Sequence, residues 1–169
     1  MSMIGELNFF LGLQIKQTKD GIFINQGKYI KDLLKIFRME FVKEADTPMG
    51  TSIKLDMDEN SKNVDITKYQ GMRGSFLYLT TSRLDIIFSV CLCACFQVCP
   101  KEFYVRAVKH IFLYLHGTIN LGMWYLKGYE LNLISYSDTD FTGCKVNKKS
   151  TSETCHFLGS SLVFWASRK

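Results

Sequence analysis

Leu133-Ile134-Ser135-Tyr136-Ser137-Asp138-Thr139-Asp140-Phe141-Thr142-Gly143 is the run on which the reading of this chain turns. Its first half alternates apolar and polar residues with a period of two, the mark of a strand with one covered face. Just upstream the period is helical. Tyr104, Val108, Ile111, Phe112 and Leu115 recur on one face, and Gly117 offers a C-terminal stop. Beyond it the pattern predicts strands over Gly122 to Leu126, Glu130 to Ser137, Thr154 to Leu158 and Leu162 to Ala166. Lys127-Gly128 and Gly159-Ser160-Ser161 supply turns between them.

Working back toward the N-terminus, Tyr69, Met72, Phe76 and Leu79 mark an earlier helix. Ser82-Arg83-Leu84-Asp85 has the form of a capping box, with Asp in place of Glu, and predicts a second helix running to about Val98 before Pro100 breaks it. Phe9 to Ile15 and Gly21 to Asn25 are short apolar runs on either side of Thr18-Lys19-Asp20-Gly21, a hairpin signal. Gly27 then opens a helix over Lys28 to Arg38, with Tyr29, Ile30, Leu33, Leu34 and Phe37 on its apolar face. Helices in the middle and antiparallel strands at both ends predict an α+β fold.

The opposite face of that first helix carries Lys28, Lys31, Lys35 and Arg38. A basic stripe of this kind tracks phosphates in some proteins and is a plain solvated face in others. The chain has 169 residues, 47% hydrophobic and 14% aromatic, enough for a core and against wholesale disorder. A net charge of +5 is compatible with nucleic acid without arguing for it. From Glu44 to Val64 the composition turns polar, as in a linker, and its acidic patch Asp56, Asp58 and Glu59 lacks the glycine and terminal glutamate of a calcium loop. No cationic segment followed by an apolar core opens the chain, and no apolar stretch reaches the roughly 20 residues that span a bilayer. An intracellular chain with no membrane partner is expected.

Four of the six cysteines, Cys91, Cys93, Cys95 and Cys99, fall in one helix-like apolar segment. Cys91, Cys95 and Cys99 share a face and Cys93 points elsewhere, which predicts buried, reduced thiols in place of a tetrahedral zinc site. Asp138 and Asp140 are different. Alternation puts both on one side of their strand, where paired carboxylates can hold a divalent cation with help from acids elsewhere. The acids that would have to follow are missing, so the segment reads as the opening of a nuclease domain cut off before its site is complete.

Several stretches, in order, resemble the pol polyprotein of copia-type retrotransposons. Gly5-Glu6-Leu7-Asn8-Phe9-Phe10-Leu11-Gly12-Leu13-Gln14-Ile15 resembles the hairpin after the catalytic strand of such reverse transcriptases. Tyr69 to Pro100, with Leu77-Tyr78-Leu79-Thr80-Thr81-Ser82-Arg83, and Ala107 to Thr118 resemble thumb and connection helices. Tyr136-Ser137-Asp138-Thr139-Asp140 through Lys148-Lys149-Ser150-Thr151-Ser152 and Phe157-Leu158-Gly159 resemble the start of an RNase H domain. The resemblance implies four parts: the end of the palm and first thumb helix over 1–43, a linker over 44–64, thumb and connection over 65–121, and RNase H strands over 122–169.

It also implies residue roles. Phe10, Leu11 and Gly12 match a primer grip that approaches the primer strand through its backbone. Asp138 matches the first RNase H carboxylate, and Asp140 a weaker metal position. The parent family uses Mg²⁺, while no cofactor is expected for this segment alone. Departures from the family are plain: the chain has no Asp-Asp dipeptide, Cys95 and Leu84 stand where Arg and Pro are usual, and Glu153 replaces a typical Gly. The expectation is a non-catalytic pol segment without polymerase or RNase H turnover. Its partners would be the rest of the polyprotein and an RNA–DNA or DNA duplex, held weakly and without sequence preference through Lys28, Lys31, Lys35, Arg38 and the cluster Lys145, Lys148 and Lys149. A small metal-dependent nuclease using Asp138 and Asp140, or a remnant with no binding role, are the alternatives.

Overall fold

A computed structural model describes residues 7–50, 64–95, 100–128, 130, 132–140 and 150–168. The fold is α+β, as the sequence predicts. Strands β1 (Phe9–Phe10), β2 (Leu13–Gln17) and β3 (Gly21–Asn25) lead into helix α1 (Gly27–Ile36). Helices α2 (Ile66–Leu79), α3 (Ile87–Ala94) and α4 (Glu102–Gly117) follow, then strands β4 (Gly122–Leu126), β5 (Leu133–Asp140), β6 (Thr151–Leu158) and β7 (Ser161–Arg168).

One element sits apart from its expected partners. Gly122–Leu126, grouped by pattern with the C-terminal strands, pairs instead with β3, from Asn25 opposite Gly122 to Gly21 opposite Leu126. The two sheets are therefore β1-β2-β3-β4 and β5-β6-β7, all antiparallel. The backbones meet closely at both ends of the β3–β4 pair. A Cβ at Gly21 would run into the Tyr125 carbonyl, and one at Gly122 into the Ile24 carbonyl. A strand-like run marks a strand but not its partner.

The core lies among the helices. Ile30, Leu33 and Leu34 of α1 meet Tyr69, Met72, Phe76 and Leu79 of α2 and Tyr104, Val108, Ile111, Phe112 and Leu115 of α4, all buried. Phe112 is central, 4.5 Å from the Phe76 ring and 4.9 Å from the Phe37 ring. The helical periods in the sequence thus marked the inward faces. Asp65 caps α2 by accepting from the amide of Thr67 at 2.9 Å.

Ser82 to Asp85 do not form a capping box. The Arg83 guanidinium is 1% exposed and holds Asp85 with two hydrogen bonds, Nε to Oδ1 at 3.0 Å and Nη2 to Oδ2 at 2.7 Å. Two further N–H groups reach the Thr118 carbonyl at 2.9 Å and hydroxyl at 2.7 Å, beyond the end of α4. The Tyr114 hydroxyl donates to Asp85 Oδ2 at 2.8 Å, and the Tyr114 ring lies under the guanidinium at 5.6 Å. Ser82, also buried, donates to the Gln26 side chain at 2.7 Å. A short 3-10 turn, Leu84–Ile86, leads into α3. A buried guanidinium needs an anion and a full set of acceptors, and that demand outweighs the helix cap.

Beside this network opens a cleft of about 520 Å³ between the helices and the strands, bordered by Tyr114, Trp124, Ser160 and Leu162. The Ser161 hydroxyl closes one edge by donating to the Trp124 carbonyl at 2.6 Å, so the β6–β7 turn docks on β4.

Burial acts to raise the Asp85 carboxyl, but the Arg83 hydrogen bonds and charge, with the Tyr114 hydroxyl, hold it below its ordinary value of 3.8. The folded carboxyl is therefore the stronger acid, and its contribution is complete above the ordinary value and lost as pH falls through the folded one. Asp85→Asn is expected to cost about 3 kcal/mol, the low end for breaking a buried pair, because a third of the Asp85 side chain meets solvent. Urea unfolding at neutral pH and again below pH 3 checks this: the gap between parent and variant should narrow in acid.

Candidate nucleic-acid interface

The residues of the expected grip form a tight hairpin tip. Phe10 pairs with Leu13 across a two-residue loop in which Leu11 and Gly12 take φ of 48° and 80°, the left-handed pair of a type I′ turn. Glycine suits the second position; leucine at the first is strained and is kept there by outside contacts. The Tyr78 hydroxyl of α2 donates to the Leu11 carbonyl, and a Cβ on Gly12 would collide with that hydroxyl. Phe9, Phe10 and Leu11 are left exposed, Leu11 by 77%.

The basic stripe stands next to this tip. Lys28, Lys31 and Lys35 project from α1, all exposed, within an arc of about 60° at 100° per residue. Asp32 sits beside them and weakens the positive face. Lys28 Nζ lies 5.8 Å from the centre of the Phe9 ring, so an aromatic side chain accompanies the stripe, which the sequence had not suggested. The Lys28 amide donates to Gln14 of β2 at 2.7 Å, a second tie between α1 and the hairpin.

Arg38, expected in the same stripe, lies beyond the end of the helix. The helix ends at Ile36, and Arg38 follows in a left-handed conformation with φ of 57°. Its amide donates to the Lys35 carbonyl at 3.0 Å, and the Met39 amide to the Leu34 carbonyl at 2.8 Å. This is a Schellman ending with arginine where glycine is usual, sealed by buried Met39. Lys145, Lys148 and Lys149 lie outside the described residues.

The chain is 38% identical over 97% of its length to the retrovirus-related Pol polyprotein from transposon RE1 of Arabidopsis thaliana, and 34% identical over 97% to that from transposon RE2. The chain belongs to the retrotransposon Pol polyprotein family. It spans 11% of the length of each of these two polyproteins. An uncharacterized mitochondrial protein of the same plant is 29% identical over the whole chain, which covers 70% of that protein. No protein-family model and no solved structure matches the chain.

The second expected site of this Pol segment lies on β5. Asp138 is exposed and pairs in register with Glu153 of β6, a carboxylate directly across the strand pair. Asp140 follows two residues on, its backbone paired with Thr151. Carboxylate oxygens are suitable Mg²⁺ donors. Among the described residues no three His, Cys, Asp or Glu side chains gather into a group that could hold a metal ion.

The cysteines divide differently from expectation. Cys93 is buried, whereas Cys91 on α3 and Cys95 at its C-cap are exposed; Cys99 lies outside the described residues. Their shared face points outward because Cys93 occupies the inward one, next to Tyr69, whose hydroxyl donates to the Cys93 carbonyl at 2.7 Å. Burial, reinforced by Cys95, pushes the Cys93 thiol up to about 12. Thiolate is the reacting form, so brief iodoacetamide treatment at pH 8 should label Cys91 and Cys95 and spare Cys93 until the chain is unfolded. Peptide mass spectrometry reads the three sites, and early labelling of Cys93 would contradict its placement.

Sequence reasoning missed two contributors to this surface. Tyr78 was visible only as part of a family-like helix, since no local pattern announces a hydroxyl reaching a hairpin 67 residues away. Phe9 was read as a strand residue, and its place under Lys28 depends on how α1 packs.

Proposed function

We propose that this chain is a copia-type Pol segment that grips a nucleic-acid duplex by its backbone and is not catalytic on its own. The observation that carries the reading is Lys28 over the Phe9 ring, which unites hairpin tip and lysine stripe in one exposed surface. Lysines meet phosphates, and the hairpin beside Lys28 is placed to meet the same strand. The aromatic tip adds a sequence-tolerant contact, because any unpaired base has a face to offer it. For catalysis, the chain has no Asp-Asp dipeptide of the kind polymerase chemistry places on its metals, which supports the non-catalytic reading. The resemblance supports RNA–DNA hybrid or DNA as the duplex and the remainder of Pol as the protein partner. Leu133, Ile134 and Tyr136 of β5, each at least 45% exposed, favour such covering by the rest of the polyprotein.

Duplex binding should fall steeply with salt. If Lys28, Lys31, Lys35 and Arg38 each neutralise a phosphate, the log–log slope is about −3 to −4 on B-form DNA. Lys31→Ala and Lys35→Ala should each reduce that slope by about 1, measured by fluorescence anisotropy on two unrelated duplexes. Slopes unmoved by both changes would reduce the stripe to a solvated face.

Arg38→Gly separates two roles of one residue. Relief of the left-handed arginine should stabilise the fold by about 1 kcal/mol, while loss of its charge lowers the salt slope by about 1. Thermal unfolding and the same anisotropy titration report the two effects independently. Incubation of the parent with RNA–DNA hybrid and Mg²⁺ should leave the hybrid intact; cleavage abolished by Asp138→Asn would restore the nuclease alternative.

A further inference from the structure

β1 is a weak element by construction. It is an edge strand joined to β2 over two residue pairs, Phe9 with Gln14 and Phe10 with Leu13. So short a pairing does not hold a hairpin tip in one position, and its loop contains a strained leucine. The tip is nevertheless set against α1 closely enough to place Phe9 beside Lys28.

Tyr78 is the side chain at the crossing of these parts. Its hydroxyl donates to the Leu11 carbonyl. Its ring packs edge-on against Tyr29 of α1, with centroids 5.0 Å apart and planes at 85°. Tyr29 in turn donates to the Ser75 carbonyl one turn earlier in α2 at 3.3 Å. The Tyr78 carbonyl accepts from the buried Gln26 side chain, at the start of α1, at 3.2 Å. One residue of α2 thus touches the tip of the hairpin and both the start and the first turn of the basic helix.

We propose that Tyr78 is a positioning residue: its hydroxyl fixes the hairpin tip relative to α1 so that tip and lysines meet the same duplex. This rests on the backbone-gripping reading above. It assigns no contact between Tyr78 and nucleic acid, because the hydroxyl is spent on Leu11. The same contact adds to the left-handed backbone in requiring glycine at position 12, since a Cβ there would displace the hydroxyl.

The test uses the full chain, its Tyr78→Phe variant and its Gly12→Ala variant, with hydrogen exchange and duplex binding measured in parallel. Tyr78→Phe keeps the ring against Tyr29 and removes only the hydroxyl. Exchange of the amides around the β1–β2 turn should accelerate roughly five- to tenfold, the scale of one lost hydrogen bond, while α2 and α4 keep their protection. Affinity for a duplex with a recessed end should drop about threefold or more, with the salt slope unchanged because no charge is lost. Gly12→Ala should give both effects with the hydroxyl still present. Unchanged exchange at the turn in Tyr78→Phe overturns the tie. Faster exchange at unchanged affinity overturns the positioning role and leaves a structural one. A parent chain without duplex affinity removes the gripping reading and the role built on it, while the exchange data still decide whether the tie exists.

Discussion

The buried guanidinium of Arg83 sets the terms for the middle of the molecule. A charge removed from water must be met on every donor, and the partners come from separate places: Asp85 two residues on, Thr118 past the end of α4, and the Tyr114 ring beneath. Satisfying it fixes the turn before α3, the last turn of α4 and the path of the chain into β4. Ser82, next to it, extends the same polar seam to Gln26 and the start of α1. Apolar packing of Phe76 and Phe112 would tolerate small shifts among the helices. The directional bonds from Arg83 to Thr118 and from Tyr114 to Asp85 do not, so this network ties the start of α3 to the end of α4.

The hairpin and basic helix inherit their arrangement from that frame. Gln26 is held between Ser82 and the Tyr78 carbonyl, which anchors the first turn of α1 to the end of α2. Lys28 follows two residues later, and its place beside Phe9 is a result of where α2 ends. A surface made of flexible lysines and a short edge strand thus acquires a defined shape from buried contacts beneath it.

The inward helix faces were legible in the sequence because burial there follows a single period: Tyr69, Met72, Phe76 and Leu79 all lie in the core. The Asp20-Gly21 hairpin was legible because turn chemistry is local. Strand positions were readable but partners were not, since the short apolar run Gly122–Leu126 is equally compatible with either sheet. The tetrapeptide Ser82–Asp85 misled for another reason. Its residues have the chemistry of a helix cap, and a tertiary demand claimed the same groups. Exposure of Cys91 and Cys95 follows from which side of α3 faces Tyr69, a fact outside the segment itself. At the candidate interface the lysines were readable from spacing, whereas Tyr78 and Phe9 join it only through packing.

The pairing of β4 with β3 bears on how the chain reaches this structure. β3 is complete at Asn25, yet its outer edge stays open until Gly122 to Leu126 arrive, with the whole helical bundle lying between them in sequence. Such a long loop closes slowly, because chain entropy is lost before the contacts form. During synthesis from the N-terminus, Gly21-Ile22-Phe23-Ile24-Asn25 presents unpaired amides and carbonyls to its surroundings throughout that interval, in an uncharged and apolar stretch. The lysine-rich helix that follows directly then places charge beside an edge with no partner yet, which works against its association with other chains.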